Sequence, residues 1–259
     1  MTDLQLQKMM ELWKAYYRSR GIAPEFANQC LAYARSLLKQ DMPVIFDLPH
    51  LCLLLGLDVS YLHSIVYGAD KHYRNFFIRK KSGGVRELSA PHYTLKYVQT
   101  WIYENILSKV KVNYCAHGFC PKKSIVTNAR VHVKNKYLLK LDLKDFFPSI
   151  TLNQVINVFR GFGYSNHVSL YLGSICCVDG HLPQGAPTSP ALSNIIAHHL
   201  DNRLLGVARK MGYKYTRYAD DLAFSGELIK PTFVQYIVRI ISECHFLVNA
   251  SMVMLFKCL

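Results

Sequence analysis

The sequence predicts an α+β fold, on three observations. The first 67 residues carry apolar positions at helical spacing. Residues 75–89 read as strand, turn, strand. Two later strand-like runs, residues 137–143 and 213–225, are separated by segments of helical period.

In chain order, Leu4, Met9, Leu12, Trp13, Tyr16 and Tyr17 fall near helical spacing. A second helix fits Pro24–Lys39, with the proline in its first turn. A third begins near Asp58 and includes Leu62, Ile65 and Val66. The strand–turn–strand unit has Ser82-Gly83-Gly84 at its tip and is crowded by Arg79, Lys80, Lys81 and Arg86. Residues 95–110 read as an amphipathic helix. Residues 137–143 have the pattern of a buried strand ending in acid, and residues 152–161 are helical. Ser189-Pro190 reads as a helix start, with serine as the cap and proline at the first helical position. Leu192, Ile195, Ile196, Leu200, Leu204 and Val207 give that helix one apolar face, and Gly212 ends it. Residues 213–218 and 222–225 flank Ala219-Asp220-Asp221 as a hairpin.

A chain of 259 residues makes one large domain or two tightly joined ones. With 51% hydrophobic residues it can build a core, which excludes wholesale disorder. Thirty-one Lys+Arg against 17 Asp+Glu leave a net charge of +14, which favours a polyanionic partner. The eight cysteines are scattered and the first residues are polar, so a reducing cytoplasm, free thiols and no signal peptide are expected. Cys115-Ala-His117-Gly-Phe-Cys120 lacks a second ligand pair at zinc spacing. No apolar run reaches the ~20 residues of a membrane helix.

Two segments carry chemistry. Asp142 stands at the end of a buried strand, and Asp220-Asp221 occupy a hairpin tip between apolar strands. Bunched carboxylates repel one another and are costly to desolvate. A hard divalent cation relieves both problems, and Mg²⁺ takes a few carboxylate oxygens together with phosphate and water. Two such ions about 4 Å apart can activate an attacking hydroxyl and steady a departing pyrophosphate. Taken singly, an Asp-Asp pair in a turn is an ordinary solvated turn.

Taken together, Asp142 to Phe147, Tyr218-Ala219-Asp220-Asp221 and the intervening Leu182-Pro-Gln-Gly-Ala-Pro-Thr-Ser-Pro190 resemble the ordered motifs of reverse transcriptases. The resemblance covers roughly residues 50–249. It implies a right-hand polymerase with a ferredoxin-like antiparallel palm, fingers and N-terminal helices. The expected domains are a helical region at 1–67, fingers at 68–137 and 152–181, and palm at 138–151 and 182–259. Two Mg²⁺ ions would be held by Asp142, Asp220 and Asp221, with the Leu143 carbonyl joining, and Asp145 is structural or solvated. Phe147 takes the gate position that crowds a ribose 2′-hydroxyl; read without the family, it is a core aromatic. Gln184 and Gly185 would support template and incoming nucleotide, and Lys80 and Arg86 would grip the triphosphate; on their own these cations are a solvated basic hairpin.

His117-Gly118-Phe119, Ser124 and Asn128-Ala-Arg130-Val-His132 resemble the retron branch. That likeness implies RNA contacts from Lys122, Lys123, Asn128, Arg130 and His132; on the residues alone, Asn128 caps a helix and His132 packs. It further implies a structured non-coding RNA as template and primer, deoxynucleoside triphosphates, an RNA–DNA hybrid, branched RNA-linked DNA, and anti-phage defence with an effector protein. Residues 250–259 depart from the family's basic, primer-gripping continuation, and the retron Val-Thr-Gly motif is absent, so the thumb is expected to be missing. Two alternatives stand beside this reading: another bacterial reverse transcriptase, of group II intron or diversity-generating type, and a catalytically silent RNA-binding remnant.

Overall fold

The computed structural model describes residues 2–79, 83 and 85–257, and of Arg86 the backbone. Helix α1 (Asp3–Ser19) starts from a capping box between Thr2 and Gln5, and α2 (Pro24–Lys39) starts from its proline. Then come α3 (Leu48–Leu55), capped by Asp47 and closed by Gly56 at φ 65°, and α4 (Val59–Tyr67), capped by Asp58. Helix α3 is a helix the sequence reading lacked. Its Leu-Cys-Leu-Leu-Leu run is apolar all round and shows no period.

Strands β1 (Tyr73–Arg79) and β2 (Val85–Pro91) form an antiparallel hairpin in register from Tyr73↔Pro91 to Arg79↔Val85. Helices α5 (Tyr93–Asn105) and α6 (Ile125–His132) lead to β3 (Tyr137–Asp142). Helices α7 (Leu152–Gly161), α8 (Asn166–Cys176), α9 (Ser189–Ile196) and α10 (His198–Lys210) follow. Strands β4 (Lys214–Tyr218) and β5 (Asp221–Gly226), α11 (Pro231–Glu243) and β6 (Met254–Lys257) complete the order. Among the described residues, no single helix is long and apolar enough to cross a membrane.

One expectation is corrected here. The helix expected to run from Ser189 toward Gly212 is broken at Ala197 into α9 and α10. Its cap is Thr188 rather than Ser189, because the Ser189 hydroxyl is used to donate to the Pro183 carbonyl at 2.7 Å. The strand at residues 254–257 was not read from sequence: β6 pairs antiparallel with β3 from Tyr137↔Lys257 to Lys140↔Met254, within the stretch expected to be palm.

The four-stranded sheet has the order β4-β5-β3-β6, with every neighbour antiparallel. Its two faces differ, because side chains alternate along a strand. Leu139, Leu141, Tyr215, Arg217, Leu222 and Phe224 point to one face and are buried. Helix α11 packs there through Phe233, whose ring lies 5.3 Å from that of Phe224. The other face carries Asp142, Lys140, Asp221, Ala223, Thr216 and Ser225. One continuous core joins the buried face to Leu37, Leu51 and Leu62 of the N-terminal helices, to Ile45 between α2 and α3, and to Leu95, Phe159 and Leu172.

Candidate active site

Strand register brings the acids together. Asp142, the last residue of β3, stands directly opposite Asp221, the first residue of β5. Such partners share a face and lie one strand spacing apart. Asp220 is in the turn between β4 and β5, and its carbonyl accepts from the Leu143 amide at 3.0 Å. Asp142, Leu143, Asp220, Phe147 and Gln184 line one cleft of about 460 Å³, together with Val85 and Glu87 from β2. Asp142 and Asp221 also line an adjoining hollow of about 140 Å³ with Lys140, Met252 and Met254.

Two residues to which the sequence reading gave no role touch these acids. The Asn249 amide group donates to Asp142 Oδ2 at 3.2 Å, and the Asn249 backbone N–H donates to the Asp142 carbonyl at 2.8 Å. Lys140 Nζ lies 3.6 Å from Asp221 Oδ1, with both side chains nearly half exposed, so this pair holds little energy. The Lys140 position was readable as the residue two before Asp142 on the same strand face. Nothing in sequence marked Asn249 as a partner of Asp142, 107 residues away.

Among the described residues, no three or more Asp, Glu, His or Cys side chains are grouped so as to hold a metal ion by themselves. The donor set fits an open site completed by phosphate and water: hard carboxylate oxygens at the rim of a cleft, with Lys140 and Lys144 against Glu87, Asp142, Asp145, Asp220 and Asp221. That is the setting in which Mg²⁺ completes its shell with phosphate and water.

The surroundings sort the other expected residues. Phe147 is half-buried on the cleft wall, its ring 5.6 Å from Phe146 and 6.0 Å from Phe119. Gln184 is half-buried there, and its carbonyl accepts from the Ser89 amide of β2 at 2.9 Å. Gly185 sits at φ 129°, and a Cβ on it would meet the Ser89 carbonyl oxygen at 2.8 Å. The neighbour that demands glycine is therefore the β2 backbone. Asp145 is exposed at the cleft, with φ 48°. Arg86 is placed by its backbone opposite Ile78, and Lys80 lies outside the described residues.

The five residues expected to meet RNA divide. Lys122 and Arg130 are exposed, and Asn128 lines a groove of about 710 Å³ with Lys134, Lys136 and Lys140. Lys123 turns inward, donating to the Tyr114 carbonyl and, at 2.8 Å, to that of Ala116. His132 is a correction: it is buried, with Nδ1 2.7 Å from the Ser225 hydroxyl and Nε2 2.7 Å from that of Thr216. It pins α6 onto the acid-bearing face of the sheet, and its ring is not offered outward. Burial, then the charge of Lys214, pushes its pKa down to about 4. The cap of α6 is Ser124, paired with Thr127, rather than Asn128.

Beneath the acid-bearing turn lies a buried ion pair. Arg217 is fully buried and donates to Asp201 Oδ1 at 2.8 Å and Oδ2 at 2.7 Å, to Asn194 Oδ1 at 3.0 Å and to the Ala219 carbonyl at 3.1 Å. Burial alone would lower its pKa, but the Asp201 carboxylate overrides this and holds it raised. Tyr215 also donates to Asp201, at 2.9 Å.

The family profile described as "Reverse transcriptase (RNA-dependent DNA polymerase)" matches residues 78–249. Similar proteins include the retron Ec86 reverse transcriptase of Escherichia coli, 40% identical over 73% of this chain and 60% of that protein. The retron Mx65 reverse transcriptase of Myxococcus xanthus is 45% identical over 74% of the chain and 50% of its own length. The retron Mx162 reverse transcriptase of the same organism is 36% identical over 83% and 50%. The chain thus spans between half and three-fifths of the length of these relatives.

Proposed function

The chain belongs to the reverse transcriptase family and resembles its retron-type members, and on that premise we propose that it is an RNA-directed DNA polymerase of retron type. The observation that carries the reading is the register of Asp142 against Asp221, with Asp220 in the turn next to Asp221 and on the cleft that Asp142 lines. We assign residues 138–151 and 182–257 to a palm; the strand neighbours β6-β3-β5-β4, with α9 and α10 before β4 and α11 before β6, support a ferredoxin-like sheet. Residues 68–137 and 152–181 are assigned to fingers.

Reverse transcriptases use divalent ions, and Asp142, Asp220 and Asp221 would hold two Mg²⁺ here, with the Leu143 carbonyl beside them. When bound, those ions supply activation of the attacking hydroxyl and charge stabilisation at the leaving pyrophosphate. The chain's own residues do the rest. Phe147 walls the cleft where a 2′-hydroxyl would project. Gln184 supports the incoming nucleotide, in a loop fixed to β2 by the Ser89 bond. Arg86, whose backbone lies on β2, and Lys80, outside the described residues, would by the family resemblance neutralise the triphosphate. Lys122, Arg130, Lys134 and Lys136 offer cations to a structured template RNA. An effector protein, branched RNA-linked DNA and anti-phage defence accompany this reading as implications of the retron likeness.

The test is primer extension on an RNA template with deoxynucleoside triphosphates and Mg²⁺. Asp142→Asn, Asp220→Asn and Asp221→Asn should each cut product by about 100-fold or more. Equal product from wild type and Asp220→Asn would refute the enzyme reading and leave an RNA-binding protein. Sequencing the RNA that purifies with the protein separates a retron template from an intron or diversity-generating one.

A further inference from the structure

We propose that Arg217, locked by Asp201 and Asn194, is a positioning residue that sets the backbone of the turn presenting Asp220. The inference rests on the reading of Asp220 as a metal ligand. Ala219, just before it, has φ 56°, a left-handed backbone that a side chain resists. The two-residue hairpin closed by Tyr218↔Asp221 asks for that φ, and contacts from outside the ladder brace an alanine that bears it at a cost. The Arg217 guanidinium does so from the core side, through its bond to the Ala219 carbonyl. Gly118 packs against the same residue, so close that a Cβ on it would lie 2.5 Å from the Ala219 nitrogen.

Asn194 links the two grips. Its side-chain oxygen accepts from Arg217 at 3.0 Å while its amide donates to the Gly118 carbonyl at 2.9 Å. Backbone bonds add the last links: the His117 amide donates to the Arg217 carbonyl at 2.7 Å and the Arg217 amide to the Cys115 carbonyl at 2.9 Å. The His117-Gly118-Phe119 motif is thereby a strut of the acid-bearing turn. Apolar side chains could hold the sheet as well as a buried ion pair does. They could not bond the Ala219 carbonyl, which is what an arginine fork tied to a carboxylate and an amide achieves.

Arg217→Lys keeps the charge opposite Asp201 but cannot bond Asn194 and Ala219 as well. Asn194→Ala leaves both charges in place and cuts the link to Gly118. Each variant is compared with wild type by thermal melting, primer extension at varied Mg²⁺ and nucleotide, Mn²⁺ binding by electron paramagnetic resonance without nucleic acid, and hydrogen exchange of the turn peptide. Both should fold, lose about 10- to 100-fold in kcat with nucleotide KM within about twofold, and need more Mg²⁺ for half-maximal rate. Mn²⁺ should bind more weakly, and the turn should exchange faster. Folded variants with wild-type kcat, metal requirement and turn exchange overturn the proposal. If Arg217→Lys does not fold, Asn194→Ala decides on the same readouts. If wild type is as inactive as Asp220→Asn, the polymerase reading fails by itself. Mn²⁺ binding and turn exchange then decide the positioning role: weaker and faster supports it, unchanged overturns it.

Discussion

His132 shows how a single side chain can be seen in sequence and still be misassigned. As part of Asn-Ala-x-x-His it attracted an RNA-contact role, yet its ring bridges Thr216 and Ser225 across two strands. Its inward direction depends on the parity of residues more than 80 positions away, which no local pattern encodes. A pH dependence follows. Folded, the ring resists protonation until about 4; unfolded, it titrates at its ordinary 6.5. Between those values the unfolded chain binds a proton that the folded chain refuses. Stability is therefore full above 6.5 and lost as pH falls toward 4, by up to about 3 kcal/mol. His132→Gln retains a donor and an acceptor for the two hydroxyls. Urea unfolding should find it weaker than wild type at about pH 7.5 but losing less between there and about pH 5. Equal losses in the two proteins would assign the acid sensitivity elsewhere. Asp142, Asp220 and Asp221 were legible for the opposite reason: a strand-end acid and a hairpin-tip pair declare their positions through local pattern alone.

Elements with period and punctuation were readable, and those without were not. Helix α2 begins at its proline and α7 at the Thr151 cap, as the residues dictate. Helix α3 has neither period nor polar face, the break at Ala197 has neither Gly nor Pro, and β6 is an exposed edge strand lacking alternation. How elements join is carried by contacts of high sequence separation. The Gln184–Gly185 loop is stitched to β2 by one backbone bond and a glycine that tolerates the Ser89 carbonyl. Gly185→Ala meets two penalties, a left-handed φ and an oxygen at 2.8 Å. The loop should withdraw from the hairpin, costing about 1–3 kcal/mol in chemical unfolding and raising nucleotide KM more than it lowers kcat. A variant with wild-type stability and KM would mean that the loop and β2 work independently. Gly173→Ala is the control in α8, where a Cβ would press Ile156 Cγ1 at 2.8 Å. It should lower stability by a similar amount, about 1–3 kcal/mol, and leave KM alone.

At the scale of the whole molecule, the net charge of +14 favours a polyanionic partner but does not say which cations would face it. The fold makes that division. Lys123 is spent on the Tyr114 and Ala116 carbonyls and Arg217 on Asp201, whereas Lys122 and Arg130 stand exposed. Affinity for a nucleic acid depends on salt through the number of phosphates neutralised, so the two groups should separate cleanly. In filter-binding titrations of a structured RNA over a salt series, Lys122→Gln with Arg130→Gln should flatten the log–log slope by roughly 1.4–1.8, about 0.7–0.9 per lost contact. Lys123→Gln should leave the slope unchanged and instead lower the melting temperature, because it strands two backbone carbonyls. A slope that falls equally for Lys123→Gln would mean that this ammonium leaves its carbonyls for phosphate when RNA arrives. The basic excess would then act as a diffuse field, and the surface around α6 would have no special claim on the RNA.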